Sequence, residues 1–211
     1  MEFTGEFETH LTIASPECAS QIALTTWARE HGMKFLQIEL ADGLTPIQPM
    51  LSWRGTGSRT SQMVRIQSVS DELAKAGFRV TRSKLEASPR NDDIPENDTD
   101  VEHAAMRYFE HHVKLLLSYE DISRLQQIAQ RHEAHLSRNA FVQREDSLSE
   151  RFVTQRCWKV GRKTAQRRLD LLLSELQQAA LTVIESEAEY VVYDSNLSLD
   201  AGWITEGGSD G

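Results

Sequence analysis

Cysteine is scarce in this sequence: 211 residues hold two, Cys18 and Cys157. Two thiols without zinc-ligand spacing exclude a disulfide framework and a structural zinc site, and free thiols fit a reducing compartment. Long apolar runs are missing too, and none approaches the ~20 residues that a membrane span requires. The segment Met1 to Ile13 carries Glu2, Glu6 and Glu8, with neither a basic region nor an apolar core, so no signal peptide is expected. These absences predict a cytoplasmic protein without a membrane partner.

Positive charge is in deficit, with 23 basic against 32 acidic residues and a formal charge of -9. Taken as a total, that balance argues against nucleic acid and anionic membranes as partners. Its distribution weakens the argument. Residues 88–103 contribute minus five and residues 194–211 minus four, which leaves 22 acids and 22 bases elsewhere. A neutral body remains open to an anionic ligand.

What is present is a repeated order of elements. Phe7 to Ile13 alternates apolar and polar residues and reads as a strand. Ser15-Pro16-Glu17 starts a helix that runs to about His31 and stops at Gly32. Strands follow at Lys34–Leu40 and Met50–Arg54, then a helix at Thr60–Ala76 and a strand at Phe78–Glu86. The second half has a strand at Arg107–Leu117, a helix at Tyr119–His132 and strands at Ala134–Val142 and Arg151–Trp158. A helix at Lys163–Ala179 and a strand at Leu181–Tyr193 complete it. Phe7–Thr12 aligns with Phe109–Lys114, and Phe78–Glu86 with Leu181–Glu189, at offsets of 102 and 103 residues. The expectation is an α+β protein of two tandem ferredoxin-like (βαββαβ) halves, related by a pseudo-twofold, with a polar cleft between them. The halves are 1–87 and 104–193, joined by an acidic linker at 88–103 and followed by an acidic, partly disordered tail at 194–211.

The period of two places Glu8, His10 and Thr12 on one face of the first strand, and Glu110, His112 and Lys114 on its counterpart. Arg82, Lys84 and Glu86 share a face of the fourth strand, with Glu185, Glu187 and Glu189 on its counterpart. First and fourth strands are neighbours in this fold, so His10 should approach the Arg82 row and His112 the glutamate row. His10, Glu86, His112 and Glu189 could then converge on one divalent transition metal, with an open position for substrate or water. The arrangement resembles the vicinal-oxygen-chelate superfamily, whose repeats supply ligands from their first and last strands. It departs from that family in having a second helix in each half. Ion pairing of Arg82 and Lys84 with Glu185 and Glu187 is the plainer alternative.

His10-Leu11-Thr12 and His135-Leu136-Ser137 resemble the paired motifs of two-histidine phosphoesterases, which act on RNA or cyclic nucleotides. That resemblance implies His10 and His135 as general base and acid, with hydroxyls on phosphate oxygens. Arg138 departs from the family's apolar residue, and the two motifs sit on non-equivalent strands. Thr12, His112 and Lys114 complete the catalytic candidates, while Lys84, Arg138 and Arg156 are candidates for holding an anion. His111 shares a face with Phe109 and Val113 and reads as a core histidine. Gly55-Thr56-Gly57-Ser58 reads as a turn with a helix cap rather than a phosphate nest. Arg151 to Arg168 holds seven bases and no acid. It could bind nucleic acid, although a solvated helix face opposite the acidic linker is the simpler reading.

Several longer stretches resemble a conserved bacterial family without an assigned activity. They are Tyr108-Phe109-Glu110-His111-His112-Val113-Lys114-Leu115, His135-Leu136-Ser137-Arg138-Asn139-Ala140, Glu150-Arg151-Phe152-Val153-Thr154-Gln155-Arg156-Cys157, and Val192-Tyr193-Asp194-Ser195-Asn196 with Asp200-Ala201-Gly202-Trp203. Gln48-Pro49-Met50-Leu51 belongs with them. The resemblance implies a bacterial origin and one intact unit, and no reaction. The sequence therefore favours a small, anionic ligand in the cleft, bound by a metal-assisted enzyme, a metal-free phosphoesterase, or a non-catalytic sensor or interaction module.

Overall fold

The computed structural model describes residues 1–14, 18–101, 106–141 and 148–202. The expected start of the first helix at Ser15-Pro16-Glu17, and Trp203 with the end of the tail, lie outside them. The elements run β1 (Gly5–Ile13), α1 (Cys18–Glu30), β2 (Lys34–Leu40), β3 (Ile47–Gly57), α2 (Arg59–Lys75) and β4 (Val80–Ala87). They continue with β5 (Tyr108–Ser118), α3 (Ile122–Arg131), β6 (Ala134–Asn139), β7 (Leu148–Trp158), α4 (Arg162–Gln178) and β8 (Thr182–Asp194). No described helix is long and apolar enough to cross a membrane.

Within each half the strands take the order of a ferredoxin-like unit, β4-β1-β3-β2 and β8-β5-β7-β6. The halves do not present two separate sheets across a cleft. Edge strand β4 pairs with β8, and β2 pairs with β6, closing one antiparallel barrel of eight strands. Closure satisfies the edges that each half alone would leave unpaired. The expected cleft is thus the inside of the barrel.

Side-chain alternation sorts the strands into an apolar outside and a polar inside. Phe7, Leu11, Leu51, Trp53 and Leu85 point outward and pack against Leu24 of α1 and Ile66 and Leu73 of α2. Val113, Leu115, Leu136 and Val153 do the same against Leu125 and Ile128 of α3 and Leu169, Leu172 and Leu176 of α4. Two hydrophobic layers lie between barrel and helices, so the interior is free to be polar.

The segment after β4 is pinned to both halves. Asn91 bonds the backbone of Glu6 in both directions, at 2.9 and 2.7 Å. Asp98 accepts from the Gly161 backbone N–H at 2.8 Å and from Thr164 at 3.1 Å, which caps α4. Glu96 meets Arg162 of the same first turn at 2.5 Å. Gly161 sits so close to this segment that a Cβ there would lie 2.6 Å from both Cα and O of Asn97. Gly161→Ala should therefore destabilise the protein by about 1–3 kcal/mol through overpacking, read as a lowered thermal midpoint. An unchanged midpoint would show that the linker is not seated on α4.

Candidate functional site

The barrel interior encloses a cavity of about 230 Å³ with two unlike walls. Leu36, Ile38 and Leu40 of β2, Met50 of β3 and Phe152 of β7 form an apolar side. Glu8, His10, Arg82, Lys84, Glu110, His112, Glu187 and Glu189 form the other, from β1, β4, β5 and β8. Register places them: Glu8 lies opposite Glu86, His10 opposite Lys84, Glu110 opposite Glu189 and His112 opposite Glu187.

Glu110 is the hub of this wall. It is 1% exposed, and Lys84 Nζ lies 2.6 Å from its Oε1 while Arg156 Nε lies 2.5 Å from its Oε2. His112 Nε2 stands 3.2 Å from Oε1. Burial opposes a charge on Glu110, but Arg156 and Lys84 outweigh it and hold the carboxyl well below its ordinary value of 4.5. Lys84 is caught between two carboxylates, with Glu86 Oε1 at 2.5 Å. Burial alone would push its ammonium down, yet Glu110 and Glu86 hold it well above 10.5.

Glu86 is fully buried behind the wall and also meets His10, whose Nε2 lies 2.6 Å from Oε2. Burial opposes its charge as well, and Lys84 with His10 lowers its pKa below the usual carboxylate range. Glu189 behaves in the opposite way. Burial first, then the neighbouring Glu86 carboxylate, push its pKa well above 4.5. Glu86, His112 and Glu189 each present one ligand atom within 4.8 Å of the others. These are three of the four metal candidates. The fourth, His10, is the partner of Glu86 instead.

A second set of ion pairs occupies the far end of the interior. Arg82 pairs with Asp194 at 2.5 Å and with Asp200 at 2.9 Å, and Arg156 reaches Asp200 at 2.7 Å. Tyr108 donates to Asp194 at 3.0 Å, and burial pushes its phenol far above 10. Asp194 and Asp200 of the expected tail are thus packed into the interior, while residues 203–211 lie outside the described residues. The β4–β8 register shifts between Leu85 and Glu86, which pair with Tyr193 and Val191 respectively. This bulge at Val192 turns Asp194 inward, where a strict period of two would point it outward with Tyr190 and Val192. That is why sequence alternation missed it.

The remaining candidates are dispersed. Thr12 is buried and lines the cavity, as does Ser137, whereas His135 is half-buried and outside the cavity lining. His10 and His135 stand on strands three places apart in the barrel, and of the two only His10 lines the cavity. Lys114 pairs with Glu150 at 2.7 Å, toward the end of β5. Of the anion candidates, Lys84 and Arg156 are neutralised by carboxylates, and Arg138 is on the outer surface against Glu39 at 2.5 Å. Arg82 and Lys84 do not pair with Glu185 and Glu187; Glu187 meets Arg54 at 3.0 Å. The basic run does not form one surface either, since Arg156 faces inward and Arg162 is taken by Glu96. His111 is buried, with Nδ1 3.0 Å from Gln155 Oε1, and Ser58 caps α2 through a capping box.

No family model and no curated protein matches the chain. Among solved structures, the acetolactate synthase small subunit of Thermotoga maritima is 14% identical with a TM-score of 0.32, over 90% of this chain and 96% of that one. An anthrone oxidase-like protein is 6% identical with a TM-score of 0.31, over 91% and 92%. The chlorite dismutase of Candidatus Nitrospira defluvii, in complex with imidazole, is 10% identical with a TM-score of 0.30, over 89% and 91%. At such scores neither ligand nor activity carries over.

Proposed function

We propose that the barrel binds one divalent transition-metal ion through Glu86, His112 and Glu189, with a small ligand beside it. The apolar part of that ligand lies against Leu36, Ile38, Met50 and Phe152. One observation carries the reading: three donor atoms within 4.8 Å of one another, His112 and Glu189 on the charged wall of a cavity whose other wall is apolar and Glu86 buried directly behind it. Imidazole and carboxylate donors suit zinc, iron, nickel or manganese, and such an ion supplies Lewis acidity toward a ligand oxygen or water. The two halves are read as copies of one unit, since Glu86 and Glu189 occupy matching strands.

Charge supports a cation here better than an anion. Every guanidinium and ammonium on this wall already faces a carboxylate, whereas Glu189 lies between the like charges of Glu86 and Glu8, with Lys84 nearby and His112 Nε2 at 3.7 Å. Glu86 shares its carboxylate with His10 and Lys84, so His112 and Glu189 are the less committed donors. Protein purified without chelator and reconstituted with Mn²⁺, Fe²⁺ or Zn²⁺ should hold close to one equivalent by elemental analysis. Glu189→Gln and His112→Ala should each weaken binding by at least about tenfold. Uptake below roughly 0.1 equivalent of every ion overturns the reading.

A further inference from the structure

The last described segment of the chain closes one end of the cavity in an unusual way. The 3₁₀ turn Leu197–Asp200 buries a single side chain, and that side chain is the carboxylate of Asp200. Two guanidiniums converge on Oδ2, Arg156 at 2.7 Å and Arg82 at 2.9 Å. Gln48 Nε2 donates to Oδ1 at 3.2 Å and to the Leu199 carbonyl at 3.2 Å. All three donors line the cavity, and all are less than 10% exposed. The rest of the turn is held by the polar contacts of Ser195 with Ser83 and of Asn196 with the Thr81 carbonyl.

We propose that Arg82, Arg156 and Gln48 form an anion subsite of the cavity, occupied in cis by Asp200 and open to the carboxylate or phosphate of a small ligand. Planar guanidiniums with a side-chain amide between them match the geometry of either group. Exchange is feasible because it conserves charge: a free anion that displaces Asp200 restores both guanidinium contacts, and no apolar surface of the turn has to leave a core. Arg82 and Arg156 keep Asp194 and Glu110 throughout, so neither cation is left bare. The subsite is independent of Glu86, His112 and Glu189, and it gives the ligand's anionic end a place that the metal reading alone lacks.

The test titrates the full-length wild type and Asp200→Ala with inorganic phosphate and with malonate, by calorimetry at constant ionic strength in chelator. Asp200→Ala should bind one or both at least about tenfold tighter than wild type, because the internal competitor is gone. Adding Arg156→Gln should remove the gain. Phosphate alone or malonate alone identifies which group the subsite takes. A folded Asp200→Ala that binds neither tighter than wild type overturns the proposal, as does a gain that survives Arg156→Gln. If Asp200→Ala does not fold, amide exchange in the wild type decides. Phosphate, but not chloride at equal ionic strength, should speed exchange of the Ser195 N–H, which donates to the Ser83 carbonyl at 3.0 Å. Equal rates contradict it.

Discussion

Replacing Glu110 with alanine should cost the fold about 3–5 kcal/mol, the largest loss expected from any single polar substitution in this protein. The side chain answers Lys84 on one oxygen and Arg156 on the other, in a place that water does not reach. Removing it leaves two buried cations facing each other with only Glu86 and Asp200 to share between them. Arg54→Ala makes the control. Arg54 also bridges two carboxylates, Glu8 and Glu187, but its side chain is 69% exposed, so its loss should cost no more than about 1 kcal/mol. Urea unfolding followed by circular dichroism measures both. A Glu110→Ala loss no greater than that of Arg54→Ala would mean that water reaches the ion network.

Acid should unfold the metal-free protein by titrating this same network. Glu110, Glu86 and Asp194 all have folded pKa values depressed below their ordinary 4.5, 4.5 and 3.8, by cations that outweigh burial. A depressed carboxyl contributes stability that is present above its unfolded pKa and lost as pH falls through its folded one. Stability should therefore decline steadily once pH drops below about 4.5. Glu189 has the opposite sign, because its folded pKa is raised. It penalises the fold as pH climbs from 4.5 through that folded value, and it stops doing so when protonated. The expected curve rises on moderate acidification and then collapses. Glu189→Gln should flatten the upper arm and leave the acid collapse in place. A wild-type curve that is flat from pH 8 to pH 3 would contradict the assigned charges.

These expectations also show which parts of the structure were legible beforehand. Alternation in β1, β4 and β5 put His10, Lys84, Glu86 and His112 on the right faces, because side-chain direction in a regular strand follows from parity alone. Glu110 had the same parity as His112 and carried the same signal. Its role as hub depends on Arg156, a residue 46 positions away that becomes its neighbour only when β5 pairs with β7. Barrel closure was not legible. The β2–β6 and β4–β8 pairings join edges of two units, and no local pattern encodes which edges meet. Asp194 was hidden by the bulge at Val192, and Asp200 by its surroundings of Ser, Gly and acidic residues, which read as tail. Parity cannot anticipate a bulge, and a carboxylate in a polar stretch looks solvated until its buried partners are known.

The cation site proposed inside the barrel is built by Glu86, His112 and Glu189. Anomalous scattering from crystals soaked in Mn²⁺ tests it most directly. One peak should stand in the interior, about 2.0–2.4 Å from a donor atom of each of the three residues. An interior without a peak, with Lys84 still bridging Glu86 and Glu110 at saturating Mn²⁺, would contradict it.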